Sequence, residues 1–414
     1  MGLTNSFSCF PLSLKLHKTK ADLTTSKQED LSLTSSSHTF GISEKRVSTT
    51  ITERVADGPS KLHRSPHQEE ATSPYHDALV VTSRGRYELI KVATQETLES
   101  SDVLISTRAV GLNPIDWKSV DFGFCLPEFP WVTGREMSGV VERIGAGVTG
   151  LEVGDRVWTG TYYRKREAGC FQSRVVAPAH TVLPVPAGLS FESAACLGVP
   201  GLTAAMTLWH WLRVPMPSTE QQPTVPLQQR TTPHYILIWG GSTVTGQFAI
   251  QLAVLSGLTV ITVTSTKTSK LAGDLGATHV VTRDGKTENQ ILDDIRRISG
   301  EELVMAMDIV GPTSASYAVS ALSRTKPSTI APLSFLPPGF QPPPNVSVLN
   351  IEMKQFILNE ECRKYAVGLS RLIAQGLVRL PTYEVLPGGL LAIPQGLERL
   401  KRGDMAGKKL IVSL

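Results

Sequence analysis

Seven residues, Gly240-Gly-Ser-Thr-Val-Thr-Gly246, constrain this chain more than any others. A short apolar run, Tyr235-Ile-Leu-Ile-Trp239, precedes them, and Gly246-Gln-Phe-Ala-Ile-Gln-Leu-Ala-Val-Leu-Ser256 follows. The run suits a buried parallel strand, and the longer stretch reads as a helix closed by Gly257. Thr259-Val-Ile-Thr-Val-Thr264 supplies the next strand. Strand, glycine turn, helix and strand make a βαβ crossover, and further α/β alternation runs on through Met307-Asp-Ile-Val310. The expected fold class is therefore α/β, a doubly wound parallel sheet.

Within the turn, Gly241 is expected to permit the tight bend and Gly246 the close helix–strand approach. Ser242, Thr243, Val244 and Thr245 lie between them, where the helix N-terminus offers unpaired N–H groups to a pyrophosphate. Thr243 stands where the G-x-G-x-x-G fingerprint has its second glycine. A threonine there must hold phosphate through its hydroxyl, or the turn must shift. An acid ending the second strand would bind a ribose 2′-OH and repel a 2′-phosphate. Here Ser265, Thr266, Lys267, Thr268 and Lys270 follow that strand, and no acid comes before Asp274. This pattern selects NADP(H) over NAD(H); the competing reading makes the lysines solvated helix charges.

The chain, 414 residues in all, also accommodates a second domain and a tail. Residues 1–75 are rich in Ser and Thr, without sustained apolar periodicity, and are expected to be a disordered extension. Its start, Met1-Gly2-Leu3-Thr4-Asn5-Ser6 with Cys9, fits an N-myristoylation pattern, and its acid-free, Lys-bearing opening a mitochondrial transit peptide. The default remains a plain tail on a cytoplasmic protein. From His76, short β-branched runs punctuated by Gly and Asp indicate a small β-domain. A final apolar strand, Lys409-Leu-Ile-Val-Ser413, is read as part of it or of its seam with the second domain. The helical stretch Glu192–Leu212 and a polar, Pro-rich loop, Pro215–Pro233, lead into the nucleotide domain. Net charge is only +4, with no dense basic run, which argues against nucleic-acid binding. Five scattered cysteines contain no C-x-x-C pair, and no uninterrupted apolar stretch approaches the ~18 residues of a transmembrane helix.

At Gly134-Arg-Glu-Met-Ser-Gly-Val-Val-Glu-Arg-Ile-Gly145 and Val153-Gly-Asp-Arg-Val157 the chain resembles the medium-chain dehydrogenase/reductases. The resemblance covers 76–414. It implies a GroES-like catalytic domain over 76–195, completed by 350–414, and a Rossmann domain over 196–349. Zinc-dependent members carry Gly-His-Glu where this chain has Gly134-Arg135-Glu136, and a cysteine near Asn113. Arginine has no lone pair for zinc, so no metal is expected, and chemistry on activated C=C bonds is favoured.

Among zinc-free members the chain is similar to fungal trans-acting enoyl reductases of polyketide biosynthesis, such as that of the lovastatin pathway. Gly111-Leu-Asn-Pro-Ile-Asp-Trp-Lys118, Trp239-Gly-Gly-Ser-Thr-Val-Thr245 and the Pro-rich insertion Val214–Pro233 carry this likeness. It implies cofactor contacts at Ile115, Asp116, Trp117, Lys118, Ile309, Val310, Met405 and Ala406, besides the turn and Ser265–Thr268. Arg283 stands where the family has a tyrosine contact. The likeness implies a substrate channel along Gly198, Val199, Pro200, Gly201, Leu202, Thr203, Ala204 and Ala205, and along Pro332, Leu333, Ser334, Phe335 and Leu336.

The expected function is NADPH-dependent reduction of an α,β-unsaturated polyketide thioester borne on a carrier protein. Lys118 is the candidate donor to the developing enolate, with a nicotinamide-ribose contact or a surface charge as alternatives. Asp116 would orient Lys118, and Thr203 would donate to the carbonyl. The competing functions are a quinone or small-enone reductase and a catalytically quiet NADPH-binding protein. Prolines at 332, 337, 338, 342, 343 and 344 remove ladder donors from the region where relatives dimerise, which predicts a monomer.

Overall fold

The structure, a computed structural model, describes residues 73–123, 125–162, 165–217, 234–403 and 405–414. The N-terminal extension with its targeting readings, and nearly all of the Pro-rich insertion, lie outside the described residues.

Strand β1 (Tyr75–Ser83) pairs antiparallel with β2 (Arg86–Ala93) across a two-residue turn that needs Gly85 at φ 72°. The long strand β3 (Asp102–Leu112) leads into helix α1 (Pro114–Phe122). Strand β4 (Trp131–Val132) joins β1, while β5 (Glu136–Ile144) pairs with β3 and with β6 (Arg156–Gly160). Strand β7 (Arg174–Pro178) pairs with β3, and β8 (Val182–Pro184) with β6. Both faces of β3 are covered, so its residues are buried almost throughout rather than alternately, Asp102 and Thr107 included.

The connection to the second lobe is helical over 191–211. It consists of α2 (Phe191–Ala194), a π turn at Leu197–Gly201, α3 (Leu202–Met206) and a second π turn at Thr207–Trp211. Pro200 lies within the first π turn; it lacks an N–H and cannot sustain regular α pairing there. Among the described residues this helical run is long and apolar enough by composition to cross a membrane, a match that a search for an uninterrupted apolar stretch passes over. Of its most apolar window 78% is buried inside the protein, so its apolarity serves the core.

The second lobe alternates strictly. Its elements are β9 (Tyr235–Trp239), α4 (Val244–Leu255), β10 (Thr259–Thr264), α5 (Ser269–Asp274), β11 (His279–Thr282), α6 (Glu288–Ser299) and β12 (Leu303–Asp308). Then come α7 (Pro312–Ala321), β13 (Ser328–Pro332) and β14 (Val346–Val348). All strands are parallel, in the order β11-β10-β9-β12-β13-β14. The order reverses between β9 and β12, which opens a crevice at their carboxyl ends, beside Gly240 and Ile309. The edge strand β14 contains no proline. Pro332 ends the interior strand β13, and Pro337, Pro338, Pro342, Pro343 and Pro344 lie in the connection before β14. The missing-donor reasoning for a monomer thus does not apply to this edge.

Helices α8 (Gln355–Leu358) and α9 (Arg363–Ala374) return the chain towards the first lobe, where Ala366 and Leu369 share a core with Leu202 and Met206. Strand β15 (Tyr383–Leu386), helix α10 (Ile393–Arg402) and strand β16 (Lys409–Ser413) follow. β16 pairs parallel with β15 and antiparallel with β3, so the last strand completes the first lobe's sheet as expected.

The first residue of β16 makes a buried ion pair. Lys409 (3% exposed) donates to Glu136 Oε1, and to Asn113 Oδ1 at 2.7 Å, while Glu136 is fully buried. Asn113 Nδ2 donates to Glu136 Oε1 at 2.8 Å, and the Val199 N–H to Glu136 Oε2 at 2.7 Å. Glycine at 111 makes room for this cluster, since a Cβ there would lie 2.3 Å from Glu136 Oε1. Lys409→Met strands a carboxylate in the interior and is expected to cost about 3–5 kcal/mol in urea unfolding. Adding Glu136→Gln should recover more than half of that loss; a neutral single variant would contradict the assignment.

Candidate active site

The glycine-rich turn leaves β9 through Gly240, whose φ is 94°. Gly240, and not Gly241, therefore takes the left-handed conformation of the bend. Gly241 is needed for packing: a Cβ there would lie 2.0 Å from Thr262 Oγ1 on β10. Gly246 has the expected role, because a Cβ on it would lie 2.3 Å from the Gly240 carbonyl oxygen. Thr243 is the N-cap of α4, its Oγ1 accepting from the Gly246 N–H at 3.0 Å. Its hydroxyl proton remains available to donate, and the amides of Val244 and Thr245 have no acceptor within the helix. These tight cradles fit a nucleotide pyrophosphate, which Ser242 through Gly246 would hold.

The C-terminal segment lies directly on this turn. Gln247 Nε2 donates to the Gly407 carbonyl at 2.6 Å and to that of Ser242 at 3.1 Å. A Cβ on Gly407 would lie 2.7 Å from Ser242 O. Met405 packs on the first lobe's core, and Ala406 has φ 44°. One turn along α4, Gln251 exchanges hydrogen bonds with the Arg379 backbone at 2.7 and 3.0 Å. Two buried glutamines spaced i, i+4 in an otherwise apolar helix thus lock the lobes together; that pairing is the sequence signal for the contact. Across the crevice, Asp308 Oδ1 accepts from the amides of Val310 (3.2 Å) and Gly311 (3.0 Å), fixing Ile309 and Val310 beside Gly240. Burial pushes the Asp308 carboxyl up to about 6.

Beyond β10, Ser265 Oγ and Thr268 Oγ1 lie 2.9 Å apart and Lys267 is exposed. Lys270 is paired with Asp274 at 2.8 and 2.9 Å, so its charge is engaged away from the nucleotide loop, contrary to expectation. Asp284, which sequence reasoning passed over, accepts from the Thr266 N–H at 2.6 Å. Arg283 is exposed, and its backbone N–H donates to Thr264 O at 3.0 Å.

In the first lobe, Asn113 caps α1 and Asp116 Oδ2 accepts from the Asn113 N–H at 2.8 Å. Asp116 is fully buried, whereas Lys118, two residues on, points to another face of the helix. Asp116 therefore does not orient Lys118; it fixes the start of the helix that carries it. Lys118 Nζ lies 5.8 Å from the centre of the Trp117 ring, and Lys401 Nζ 5.7 Å from the same ring. Burial alone depresses the Lys118 pKa, with no charged neighbour contributing. Ile115 and Trp117 are half-buried.

Most of the residues expected to line a substrate channel are buried. Leu202, Ala204 and Ala205 belong to the core, and Gly198, Pro200 and Gly201 are buried. The helical twist leaves Val199 half-buried and Thr203 8% exposed, one turn apart. On the other side Pro332 is buried, and Leu333 and Leu336 pack on two different cores. Ser334 is half-buried, and Phe335 is 51% exposed with φ 64°.

At the positions where zinc-dependent relatives ligate metal, Asn113 is engaged by Lys409 and Glu136, and the Arg135 guanidinium lies 5.6 Å from the Tyr162 ring centre. These donors do not fit zinc. Among the described residues no three His, Cys, Asp or Glu side chains gather at metal-binding distance.

A parallel doubly wound sheet with a glycine cradle, joined to an antiparallel lobe that is closed by the chain's own C-terminus, defines a two-lobed nucleotide-dependent oxidoreductase. The family model described as alcohol dehydrogenase GroES-like domain matches residues 99–187, and that described as zinc-binding dehydrogenase matches 245–360. Trans-enoyl reductase resD of Aspergillus sclerotiorum is 30% identical over 365 residues, covering 81% of this chain and 99% of that protein. Trans-enoyl reductase iccB of Talaromyces variabilis is 28% identical over 376 residues, covering 83% and 97%. The structure of an Escherichia coli quinone oxidoreductase complexed with NADPH superposes with a TM-score of 0.65 at 18% identity, over 82% of this chain and 99% of that one. The chain belongs to the medium-chain dehydrogenase/reductase family.

Asp116 offers a pH test. Burial raises its carboxyl to about 7, opposed by the positive charge of Arg135. The folded protein then binds a proton that the unfolded chain releases near pH 4, so this group's contribution to stability falls as pH rises from about 4 to 7. Asp116→Asn keeps an acceptor for the Asn113 N–H. It should flatten that decline and gain about 1–3 kcal/mol over the parent at pH 8, relative to pH 4, in urea unfolding. Parallel pH profiles would refute this.

Proposed function

We propose that the protein is an NADPH-dependent enoyl reductase acting on the C=C bond of an α,β-unsaturated thioester. Lys118 carries this reading: a half-buried cation whose pKa is depressed by burial, on the helix whose cap, Asn113, is bonded to Glu136 at the crevice. The contact between α1 and α10, and the chain running on from α10 to Gly407 on the Ser242 turn, link this helix to the nucleotide site. A nicotinamide nucleotide held by Ser242–Gly246, with Ser265 and Lys267 near its 2′-phosphate, would supply the hydride for the β-carbon.

The protein's own task is to handle the charge that develops on the thioester oxygen. An ammonium with reduced solvation donates to an enolate oxygen more strongly than a fully hydrated one. Thr203, on the interlobe helix one turn from the half-buried Val199, is the second candidate donor. The Val199 N–H donates to Glu136 Oε2, which anchors this helix to the buried Glu136–Lys409 pair. The trans-acting names of the relatives support a carrier-bound polyketide intermediate as substrate, with the synthase that bears it as partner.

The test is nucleotide oxidation with a pantetheine-linked enoyl thioester, set against a free quinone. Thioester turnover with NADPH preferred over NADH supports the proposal; turnover of the quinone alone would support a quinone reductase. Lys118→Met should lower thioester turnover by more than about tenfold without comparable loss of NADPH binding. Unchanged turnover removes Lys118 from the mechanism.

A further inference from the structure

The loop after β10 carries no acid of its own, yet a carboxylate reaches it. Strands β10 and β11 are parallel and in register, Thr264 opposite Thr282. The residues that follow each strand therefore emerge side by side, an alignment fixed by the Arg283 N–H donating to Thr264 O at 3.0 Å. This puts Asp284 against the nucleotide loop, where its Oδ2 accepts from the Thr266 N–H at 2.6 Å. Arg283 Nε is 3.9 Å from Asp284 Oδ1, a loose, solvent-exposed ion pair that offsets the Asp284 charge only in part. Of the lysines in the loop, Lys270 is paired with Asp274, and Lys267, next to Thr266, is exposed.

We propose that Asp284 is the specificity-determining residue for the adenosine end of the cofactor, and that it restrains the preference for NADPH over NADH. It does from the end of the third strand what an acid at the end of the second strand does in NAD-binding sheets: it offers an acceptor to a ribose 2′-hydroxyl and repels a 2′-phosphate. Ser265 and Lys267 favour the phosphate; Asp284 opposes them from beside Thr266. The nucleotide preference is the difference between these two influences, so a single charge change moves it. This inference rests on the nicotinamide-nucleotide reading above, and deepens it.

Asp284→Asn is the discriminating variant, because its amide oxygen still accepts from the Thr266 N–H while the charge is gone. NADPH and NADH affinities are measured by fluorescence titration on the parent and the variant, at low and at high salt. The variant should bind NADPH about tenfold more tightly at low salt, with under about twofold change for NADH, and the gain should shrink at high salt. Equal shifts for both nucleotides, or NADPH binding unchanged or weakened, would overturn the inference. Asp284→Ser, which also removes the charge, is used if the first variant fails to fold, with the same outcomes. A parent that prefers NADH, with a variant shifted towards NADPH, leaves Asp284 in its role and sinks the NADPH reading. A parent that prefers NADPH, with an unshifted variant, does the reverse.

Discussion

The pair of Glu136 and Lys409 is the constraint on which the crevice depends. Neither charge is tolerable alone in that position, because desolvating a single ion costs several kcal/mol even after relaxation. Together they occupy one another, and Asn113 and the Val199 amide satisfy what remains. The four segments so joined are the start of β5, the start of β16, the cap of α1 and the π turn of the interlobe helix. Each lines or supports the crevice. Lys409 also lies 273 residues beyond Glu136. The first lobe therefore cannot complete its charge balance until the chain has built the nucleotide lobe and returned.

That return also positions the cofactor cradle. The same C-terminal passage that ends in Lys409 places Gly407 on Ser242, and the two glutamines of α4 read the backbone of the returning chain. Backbone carbonyls as partners leave the side chains of that passage free to vary, while the amide geometry fixes the distance between lobes. A glycine at 407 is then obligatory, since any Cβ would strike the turn itself. The nucleotide cradle and the catalytic lobe share one set of contacts, so a disturbance in either is felt in both.

Much of this was legible in the sequence because it is local. The βαβ unit is written in strand length, a glycine turn and a helix cap, and the C-terminal strand in its apolar run. What escaped is long-range or depends on register. The roles of Gly240 and Gly241 differ only in whether the demand is on φ or on space, and the demand at Gly241 comes from Thr262 on a neighbouring strand. Asp284 became part of the nucleotide loop through the pairing of Thr264 with Thr282, a parallel register that no local pattern specifies. Asp116 lies two residues from Lys118 in sequence, but the helix separates them. The expected channel took a helical segment as a continuous stretch, whereas of Gly198–Ala205 only Val199 is half-buried and the rest lie in the interior.

Asp116 and Asp308 show how such a site tolerates buried acids near a polyanion. Each uses one oxygen to fix a backbone turn, at Asn113 and at Val310–Gly311 respectively, and each keeps a second, buried oxygen without a hydrogen-bond partner. That second oxygen is where a proton is held at least cost, and burial raises the two carboxyls to about 7 and about 6. Protonation leaves the structural bond intact, because a carboxylic acid still has an acceptor oxygen for the same amide. Both turns carry residues placed at the cofactor by the family resemblance, Ile115–Lys118 and Ile309–Val310. Near neutrality only Asp116, at about 7, keeps its geometry with a substantially reduced negative charge, since Asp308, at about 6, is mostly ionised. At Asp116 the fixing of the backbone and the charge are thus separated by burial, whereas at Asp308 the same arrangement separates them only below neutrality.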